Sequence, residues 1–118
     1  CHLGVFPSYY EPWGYTPLEC VARGVPAVTS DLAGFGDYVV DHVKDHDKQG
    51  IYVIRRFQKS FDYSAGQLAN KLYNYVRLSR RDRIDLRNRT EASSAQFDWQ
   101  NLTKYYDRAY KLALDRLL

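Results

Sequence analysis

Residues 6–20 have the sequence FPSYYEPWGYTPLEC, and this stretch decides the fold. It begins as the end of an apolar strand, crosses an aromatic loop rich in Gly and Pro, and enters a helix. Glu11 and Glu19 stand on either side of the helix entry. In α/β sheets, ligands bind where the carboxyl ends of strands meet helix N-termini. Because a helix start presents unpaired N–H groups and a partial positive charge, the stretch predicts a site for a phosphate-bearing substrate beside a carboxylate.

The residues around the helix entry also predict how this helix begins and ends. Thr16 is a candidate N-cap, and Pro17 would then occupy the first helical position, where its missing N–H costs nothing. Glu19 would complete a Thr-x-x-Glu capping box. Gly24 suits the position just after the helix. Closing the capping box is therefore an alternative to ligand binding for Glu19, and the two roles are compatible.

Outward from this stretch, short apolar runs predict three strands, at residues 3–7, 25–29 and 51–54. A helix follows the first strand, and a second helix through residues 38–43 follows the second. This alternation is typical of right-handed βαβ crossovers with parallel strands. A second loop, residues 31–36, also lies at the carboxyl end of a strand and leads into a helix.

The remainder of the chain has the periodicity of helices with one apolar face. The first such face comprises Leu68, Leu72, Tyr75 and Val76. Asp98 is the candidate N-cap of a last helix. The apolar face of that helix comprises Leu102, Tyr105, Tyr106, Ala109, Leu112 and Ala113. These helices would follow the sheet.

The number of strands predicts that the chain is part of a larger domain. An all-parallel sheet normally has several strands with helices on both faces, and three strands are few. The chain also lacks an initiator Met and enters a strand directly. We therefore expect an α/β segment of a longer protein. Residues 1–61 would form the second half of a doubly wound, Rossmann-like parallel sheet, and residues 62–118 the C-terminal helices.

Composition argues against several other classes of protein. No apolar run approaches the ~18–20 residues that cross a membrane, and the start has no signal-peptide pattern. The thiols Cys1 and Cys20 and the scattered imidazoles of His2, His42 and His46 do not have the spacing of metal ligands. We therefore predict no membrane span and no metal site. A free thiol at Cys20 fits a reducing, cytoplasmic setting.

Positive charge is concentrated in one short stretch, although the net charge is only +3. This stretch contains Arg77, Arg80, Arg81, Arg83, Arg87 and Arg89. On a helix over residues 79–93, the side chains of Arg80, Arg83 and Arg87 share one face. Asp85 is spaced to pair with Arg81 and Arg89 on the opposite side.

The shared face of this helix has three interpretations. Arg83 and Arg87 have no acidic neighbour at helical spacing and repel each other. The face is therefore either simply solvated, or neutralised by carboxylates from elsewhere in the fold or by a bound anion. Nucleic acid is the third candidate. The net charge of +3 is too small to indicate a nucleic-acid-binding protein. Aromatic residues that would stack on bases are also not interleaved with the arginines. We therefore expect no nucleic-acid partner.

Residues 8–20, Ser-Tyr-Tyr-Glu-Pro-Trp-Gly-Tyr-Thr-Pro-x-Glu-Cys, resemble the signature of the animal and fungal type of glycogen synthase. Other segments match the same family in the same order. They are Gly24-Val25-Pro26, Gly34-Phe35-Gly36, Gly50-Ile51-Tyr52, the arginine stretch and Phe97-Asp98-Trp99. The family, glycosyltransferase family 3, has the GT-B fold, with the active site between two Rossmann-like domains. The resemblance implies that residues 1–61 belong to the C-terminal, nucleotide-sugar-binding domain.

The resemblance implies a retaining transfer of glucose from UDP-glucose to the non-reducing end of an α-1,4-glucan, glycogen, without a cofactor. Glu11 and Glu19 match the catalytic Glu-x7-Glu pair of the family. Glu11 would lie near the transferred glucose, and Glu19 would reach toward the ribose. The donor-binding positions are Trp13, Gly14, Tyr15, Thr16 and Glu19, with Tyr15 and Thr16 at the diphosphate. Trp13, Tyr9 and Tyr10 are also candidates for core aromatic residues.

The resemblance also implies regulation. In the family, the arginine helix binds the phosphate of glucose 6-phosphate, an activator, and lies at a subunit interface of a tetramer. Arg83 and Arg87 match the phosphate ligands, with Arg80 as a supporting charge. The chain departs from the family pattern at Ala92, where arginine is usual, and ends without a Ser-rich phosphorylated tail.

Two alternatives stay open from the sequence. One is a related GT-B glucosyltransferase that uses ADP-glucose or another acceptor. The other is a non-catalytic, anion-binding regulatory module. Glu11 and Glu19 beside a helix start favour the enzyme, because an anion sensor would not need them. Whether the donor is UDP-glucose or ADP-glucose, we expect this segment alone to be inactive, because the other wall of the active-site cleft lies outside it.

Overall fold

A computed structural model describes residues 1–117. Its centre is a sheet of three parallel strands in the order β1-β2-β3, with β1 at Gly4–Val5, β2 at Ala27–Ser30 and β3 at Ile51–Ile54. The pairing register aligns Gly4 with Ala27 and Ala27 with Ile51. The predicted α/β class and the parallel strands are confirmed.

Helices follow each strand and then continue to the end of the chain. They are α1 at Tyr15–Ala22, α2 at Gly34–His42, α3 at Phe61–Val76, α4 at Arg80–Ser93 and α5 at Trp99–Leu117. Two short 3-10 turns, His46–Gln49 and Ser94–Phe97, connect elements. None of the helices within residues 1–117 combines the length and apolarity that crossing a bilayer requires.

The strand boundaries differ from the predicted ones for a physical reason. β2 begins two residues later than expected because the Val25 N–H donates to the Cys20 carbonyl at 2.8 Å, which makes Val25 part of the turn that ends α1. β1 is shorter than expected because only Gly4 and Val5 pair with β2, opposite Ala27 and Val28. The Gly24 N–H closes α1 by donating to the Val21 carbonyl at 3.0 Å, as predicted.

The predicted capping box at the start of α1 is wrong. The helix begins at Tyr15, its N-cap is Gly14, and no side chain caps it. Thr16 and Pro17 are therefore the second and third helical residues. Gly14 adopts φ 107° and ψ 71°, a left-handed conformation that turns the chain into the helix one residue earlier than a threonine cap would. Glu19 consequently stays exposed rather than folding back onto a Thr16 cap.

The apolar core lies between the sheet and the first two helices. Its fully buried members include Val21 of α1, Phe35 and Val39 of α2, and Ile51 of β3. Phe97 packs edge-on against Phe35 with ring centroids 5.1 Å apart, so the chain before α5 closes the same core. The core therefore holds α1 and α2 at fixed positions against the sheet.

The later helices are less buried than their sequence pattern suggests. On α3, Leu72 is 36% and Val76 68% exposed, so the predicted apolar face is mostly open. Asp98 caps α5 as predicted, since its carboxylate accepts from the Gln100 N–H at 3.3 Å. α5 has no buried residue among those described. Leu102 and Tyr105 of its apolar face are half-buried against the body of the molecule.

The predicted ion pairs of Asp85 with Arg81 and Arg89 are wrong. The Arg89 Nε donates instead to the Lys48 carbonyl at 2.9 Å, because α4 packs against the turn before β3. Within residues 1–117, both ion pairs involve Asp47, whose carboxylate lies 2.7 Å from Lys71 and 3.3 Å from His46.

Gly50 is a position where we expect a single methyl group to destabilise the fold. Its φ is +75°, and a Cβ atom there would overlap the buried Thr90 hydroxyl of α4. We expect Gly50→Ala to lower the free energy of unfolding by about 2 kcal/mol or more. Urea denaturation of the full-length protein measures this.

Gly66 supplies the matched control for that substitution. It lies within α3, and a Cβ atom added there would meet nothing within 4 Å. Gly66→Ala should therefore stabilise the protein by roughly 0.5–1 kcal/mol, because alanine is the better helix former. Equal stability changes in the two variants would contradict the packing described for Gly50.

Candidate functional site

The loop after β1 is fixed against the start of α2 by backbone hydrogen bonds. Glu11 and Ala33 form an isolated parallel bridge. The Gly34 N–H donates to the Glu11 carbonyl at 3.0 Å, and the Phe35 N–H donates to the Trp13 carbonyl at 2.7 Å. The bridge brings the loops that follow β1 and β2 together at the carboxyl edge of the sheet.

A cavity of about 570 Å³, here called the Glu11 cavity, opens at this edge. Glu11, Asp31 and Asp37 contribute carboxylates to its wall, while Tyr10 and Phe57 contribute aromatic rings. None of the described residues that line it carries a positive charge. The cavity is therefore suited to a neutral, hydrogen-bonding ligand more than to an anion.

The start of α1 lies next to Glu11. A Cβ atom on Gly14 would sit 3.3 Å from the Glu11 Cγ atom, so the carboxylate side chain packs against the turn that opens the helix. Because no side chain caps α1, its first backbone N–H groups are open to another acceptor. Tyr15 and Thr16, both exposed, follow this turn directly.

Glu19 is separated from this arrangement. It is exposed on α1 and does not line the Glu11 cavity. The structure thus brings Glu11, Gly14, Tyr15 and Thr16 together and leaves Glu19 one turn further along the helix.

Trp13 lies in an aromatic cluster behind the loop. Its ring packs edge-on against Phe35 and Tyr38, with centroids 5.7 Å apart in both pairs. Trp13 and Tyr15 also line an aromatic cavity of about 330 Å³ with residues of α5. Burial, followed by a hydrogen bond with the Tyr105 hydroxyl, raises the pKa of Tyr38 to about 12. Trp13 therefore has the packing of a core aromatic residue.

The three arginines predicted to share a face do line one cavity. Arg80, Arg83 and Arg87 surround a space of about 520 Å³, here called the arginine cavity. Ser79 starts α4 by accepting from the Asp82 N–H at 3.1 Å, and its hydroxyl donates to the Asp82 carboxylate at 2.7 Å. This cap fixes where the helix begins and hence which arginines face the cavity.

Sequence reasoning missed the residues of the arginine cavity that lie outside α4, among them His2 and Tyr75. The Tyr75 hydroxyl donates to the His2 carbonyl at 2.6 Å, which joins the chain start to α3. No local pattern could have linked them, because they are far apart in the sequence. Their contact is a product of the tertiary fold.

The glycogen synthase family model matches residues 1–118. The chain belongs to the glycogen synthase family. A glycogen [starch] synthase of Caenorhabditis elegans is 54% identical over 117 residues, which is 99% of this chain and 17% of that protein. The liver glycogen [starch] synthase of Homo sapiens is 53% identical over 116 residues, covering 98% of this chain and 16% of that protein.

A glycogen [starch] synthase of Dictyostelium discoideum is 47% identical over 116 residues, covering 98% of this chain and 13% of the relative. The chain thus spans 13–17% of the length of these curated relatives. Membership of the glycogen synthase family confirms the resemblance carried by residues 8–20. It leaves the roles of the individual side chains to be tested.

In this member of the glycogen synthase family, the two cavities differ in the charge of the residues that line them. Within residues 1–117, no carboxylate lies within ion-pair distance of Arg80, Arg83 or Arg87. The arginine cavity therefore offers unpaired guanidinium groups, which bind phosphate in a planar, bidentate geometry. The Glu11 cavity has the opposite charge.

Both cysteine thiols lie in the described part of the chain. Cys1 and Cys20 are not joined in a disulfide, and burial, followed by the nearby Glu19 charge, raises the pKa of Cys20. The Cys20 thiol is therefore kept protonated at neutral pH. Residues 1–117 contain no group of three His, Cys, Asp or Glu side chains arranged to hold a metal ion.

Proposed function

We propose that this chain is the nucleotide-sugar side of a retaining glucosyltransferase, which transfers glucose from UDP-glucose to the non-reducing end of an α-1,4-glucan. The curated relatives carry the name glycogen [starch] synthase. The observation that carries the proposal is the Glu11 carboxylate packed against the uncapped start of α1. A carboxylate that would face the sugar therefore lies beside a helix start that would bind the diphosphate.

The start of α1 would act on the leaving group. Breaking the bond between the sugar and the phosphate builds negative charge on the diphosphate. Fixed N–H dipoles at Tyr15 and Thr16 would stabilise that charge as it develops, without reorganisation. Gly14 contributes by turning the chain so that no side chain competes for these N–H groups.

Glu11 would act on the sugar. A carboxylate near the anomeric carbon stabilises the positive charge of an oxocarbenium-like transition state. Its position in a cavity lined by carboxylates and aromatic rings fits a neutral glucosyl group. Glu19, exposed on α1, would reach the ribose of the nucleotide. Trp13 would support the loop from behind through its contacts with Phe35.

The remaining parts of the proposal concern the whole protein. Residues 1–61 would complete a doubly wound sheet of a GT-B C-terminal domain, and residues 62–118 would be its helical end. The acceptor domain and the groups that clamp the diphosphate would lie in other parts of the chain, so this segment alone would be inactive. We propose a cytoplasmic enzyme, with ADP-glucose as the alternative donor.

The arginine cavity supports a second proposed function, regulation by a sugar phosphate. Arg83 and Arg87 would hold the phosphate of glucose 6-phosphate, with Arg80 as a supporting charge. The specific observation is that these guanidinium groups share a cavity without a carboxylate partner within residues 1–117. The full-length protein would be a tetramer in which this helix lies near a subunit interface.

Replacing Glu11 tests the catalytic proposal. In the full-length protein, Glu11→Ala should retain UDP-glucose binding and lose about 100-fold or more of its turnover, because stabilisation of the transition-state charge is removed. Calorimetric titration measures donor binding, and glucose incorporation into glycogen measures turnover. Asp41→Ala, which removes an exposed carboxylate of α2, is the control. Normal turnover in Glu11→Ala would contradict the assignment.

Replacing two arginines tests the regulatory proposal. Arg83→Ala combined with Arg87→Ala should abolish activation by glucose 6-phosphate while basal activity persists, because the bidentate phosphate ligands are gone. The measurement is the activation curve for glucose 6-phosphate. Arg81→Ala, on the same helix and outside the arginine cavity, should activate normally. An unchanged curve in the double variant would favour a merely solvated basic face.

A further inference from the structure

Two exposed aromatic rings line the Glu11 cavity. Tyr10 is 80% and Phe57 62% exposed. They come from the loops after β1 and β3, and the order of the strands puts the loop after β2 between them. Neither ring pairs with another aromatic ring within residues 1–117. Both rings are therefore largely open to solvent at the mouth of the cavity.

The backbone of Phe57 is held in place by Asp31. One carboxylate oxygen of Asp31 accepts from the Arg56 N–H at 2.8 Å and from the Phe57 N–H at 3.2 Å. The second oxygen lies 3.4 Å from the Phe57 N–H. Asp31 thus accepts hydrogen bonds from the loop after β3 and fixes the point from which the Phe57 ring projects.

Arg56 ties the same loop to the loop after β1. Its guanidinium group lies 3.5 Å from the centre of the Tyr9 ring and donates to the Pro7 carbonyl. Tyr10 is the next residue along. The loops that carry the two exposed rings are therefore connected to each other by Arg56 and to the loop after β2 by Asp31.

The charge of the cavity restricts its ligand. Glu11, Asp31 and Asp37 contribute negative charge, and no described lining residue contributes a positive one. A nucleotide, whose phosphates are anionic, would be repelled. A neutral sugar offers hydroxyl groups to the carboxylates and C–H groups to the aromatic faces, whose negative quadrupole attracts them. The chemistry of the wall thus disfavours an anion and is compatible with a neutral sugar.

We propose that Phe57 is a stacking platform for a glucosyl unit of the acceptor glucan, with Tyr10 flanking it and Asp31 as the residue that positions it. This inference rests on the proposed glucosyl transfer, because Glu11 lines the same cavity. The acceptor sugar approaches over Phe57, while the diphosphate of the donor takes the start of α1. Phe57 therefore sets the affinity for the glucan and has no direct part in bond breaking.

Substitutions at Phe57 in the full-length protein test the platform. Phe57→Ala should raise the KM for glycogen about tenfold and weaken maltoheptaose binding to a similar extent, with the KM for UDP-glucose unchanged. Phe57→Tyr should stay near the wild-type values, because it keeps the ring. Phe61→Ala is the matched control, since Phe61 is also exposed but lines a different cavity.

Two results would overturn the platform. One is an unchanged glycogen KM together with unchanged maltoheptaose affinity in Phe57→Ala. The other is a rise in the KM for UDP-glucose alone, which would mean that Phe57 contacts the donor. Failure of the proposed function would look different, because the wild-type protein itself would then transfer no glucose to glycogen.

Substitutions at Asp31 test the positioning role. Asp31→Ala removes both acceptors and should raise the glycogen KM as Phe57→Ala does. Asp31→Asn should restore the glycogen KM, because the amide oxygen still accepts from the Arg56 and Phe57 N–H groups. A wild-type glycogen KM in Asp31→Ala, or failure of Asp31→Asn to restore it, would overturn the positioning role.

Discussion

The backbone bridge between Glu11 and Ala33 is the constraint on which the candidate site depends. It ties the loop after β1 to the beginning of α2 through two hydrogen bonds of 3.0 and 2.7 Å. With that loop fixed, Gly14 turns the chain in a left-handed conformation, and α1 starts without a side-chain cap. The carboxylate of Glu11 and the open N–H groups of α1 therefore meet because of backbone pairing, before any ligand contributes.

The parts of this arrangement that could be predicted are those set by local sequence. Apolar runs and turn residues are sufficient to give the three parallel strands, the end of α1 at Gly24 and the cap at Asp98. The shared face of Arg80, Arg83 and Arg87 follows from helical periodicity alone. Each of these features depends on residues close together in the chain.

The features that could not be predicted depend on contacts between distant segments. Thr16 has the spacing from Glu19 that a capping box requires. In the structure, however, the loop after β1 pairs with the start of α2, Gly14 is the N-cap and the helix begins at Tyr15. His2 lines the arginine cavity, where its carbonyl accepts from the Tyr75 hydroxyl of α3. Phe57 lines the Glu11 cavity, and its backbone N–H donates to the Asp31 carboxylate. Local patterns do not report such contacts, since the partners are set by the sheet topology.

α1 connects the two cavities. Its first turn borders Glu11, while Gly24, just beyond its last turn, lines the arginine cavity. At 1.5 Å per residue, a helix of 8 residues spans about 12 Å. One short helix therefore presents its positive end toward the proposed donor diphosphate and its other end toward the proposed phosphate sensor. In this segment, the proposed diphosphate site and the proposed phosphate sensor thus lie at opposite ends of one helix.

The central claim is that the start of α1 binds the diphosphate of a nucleotide sugar. Amide hydrogen exchange of the full-length protein, with and without saturating UDP, tests it most directly. We expect UDP to slow exchange in peptides that cover Gly14, Tyr15 and Thr16, because their N–H groups become hydrogen-bonded to phosphate. Peptides from the middle of α3 should exchange at the same rate in both samples. Unchanged exchange at residues 14–16 under saturating UDP would contradict the claim.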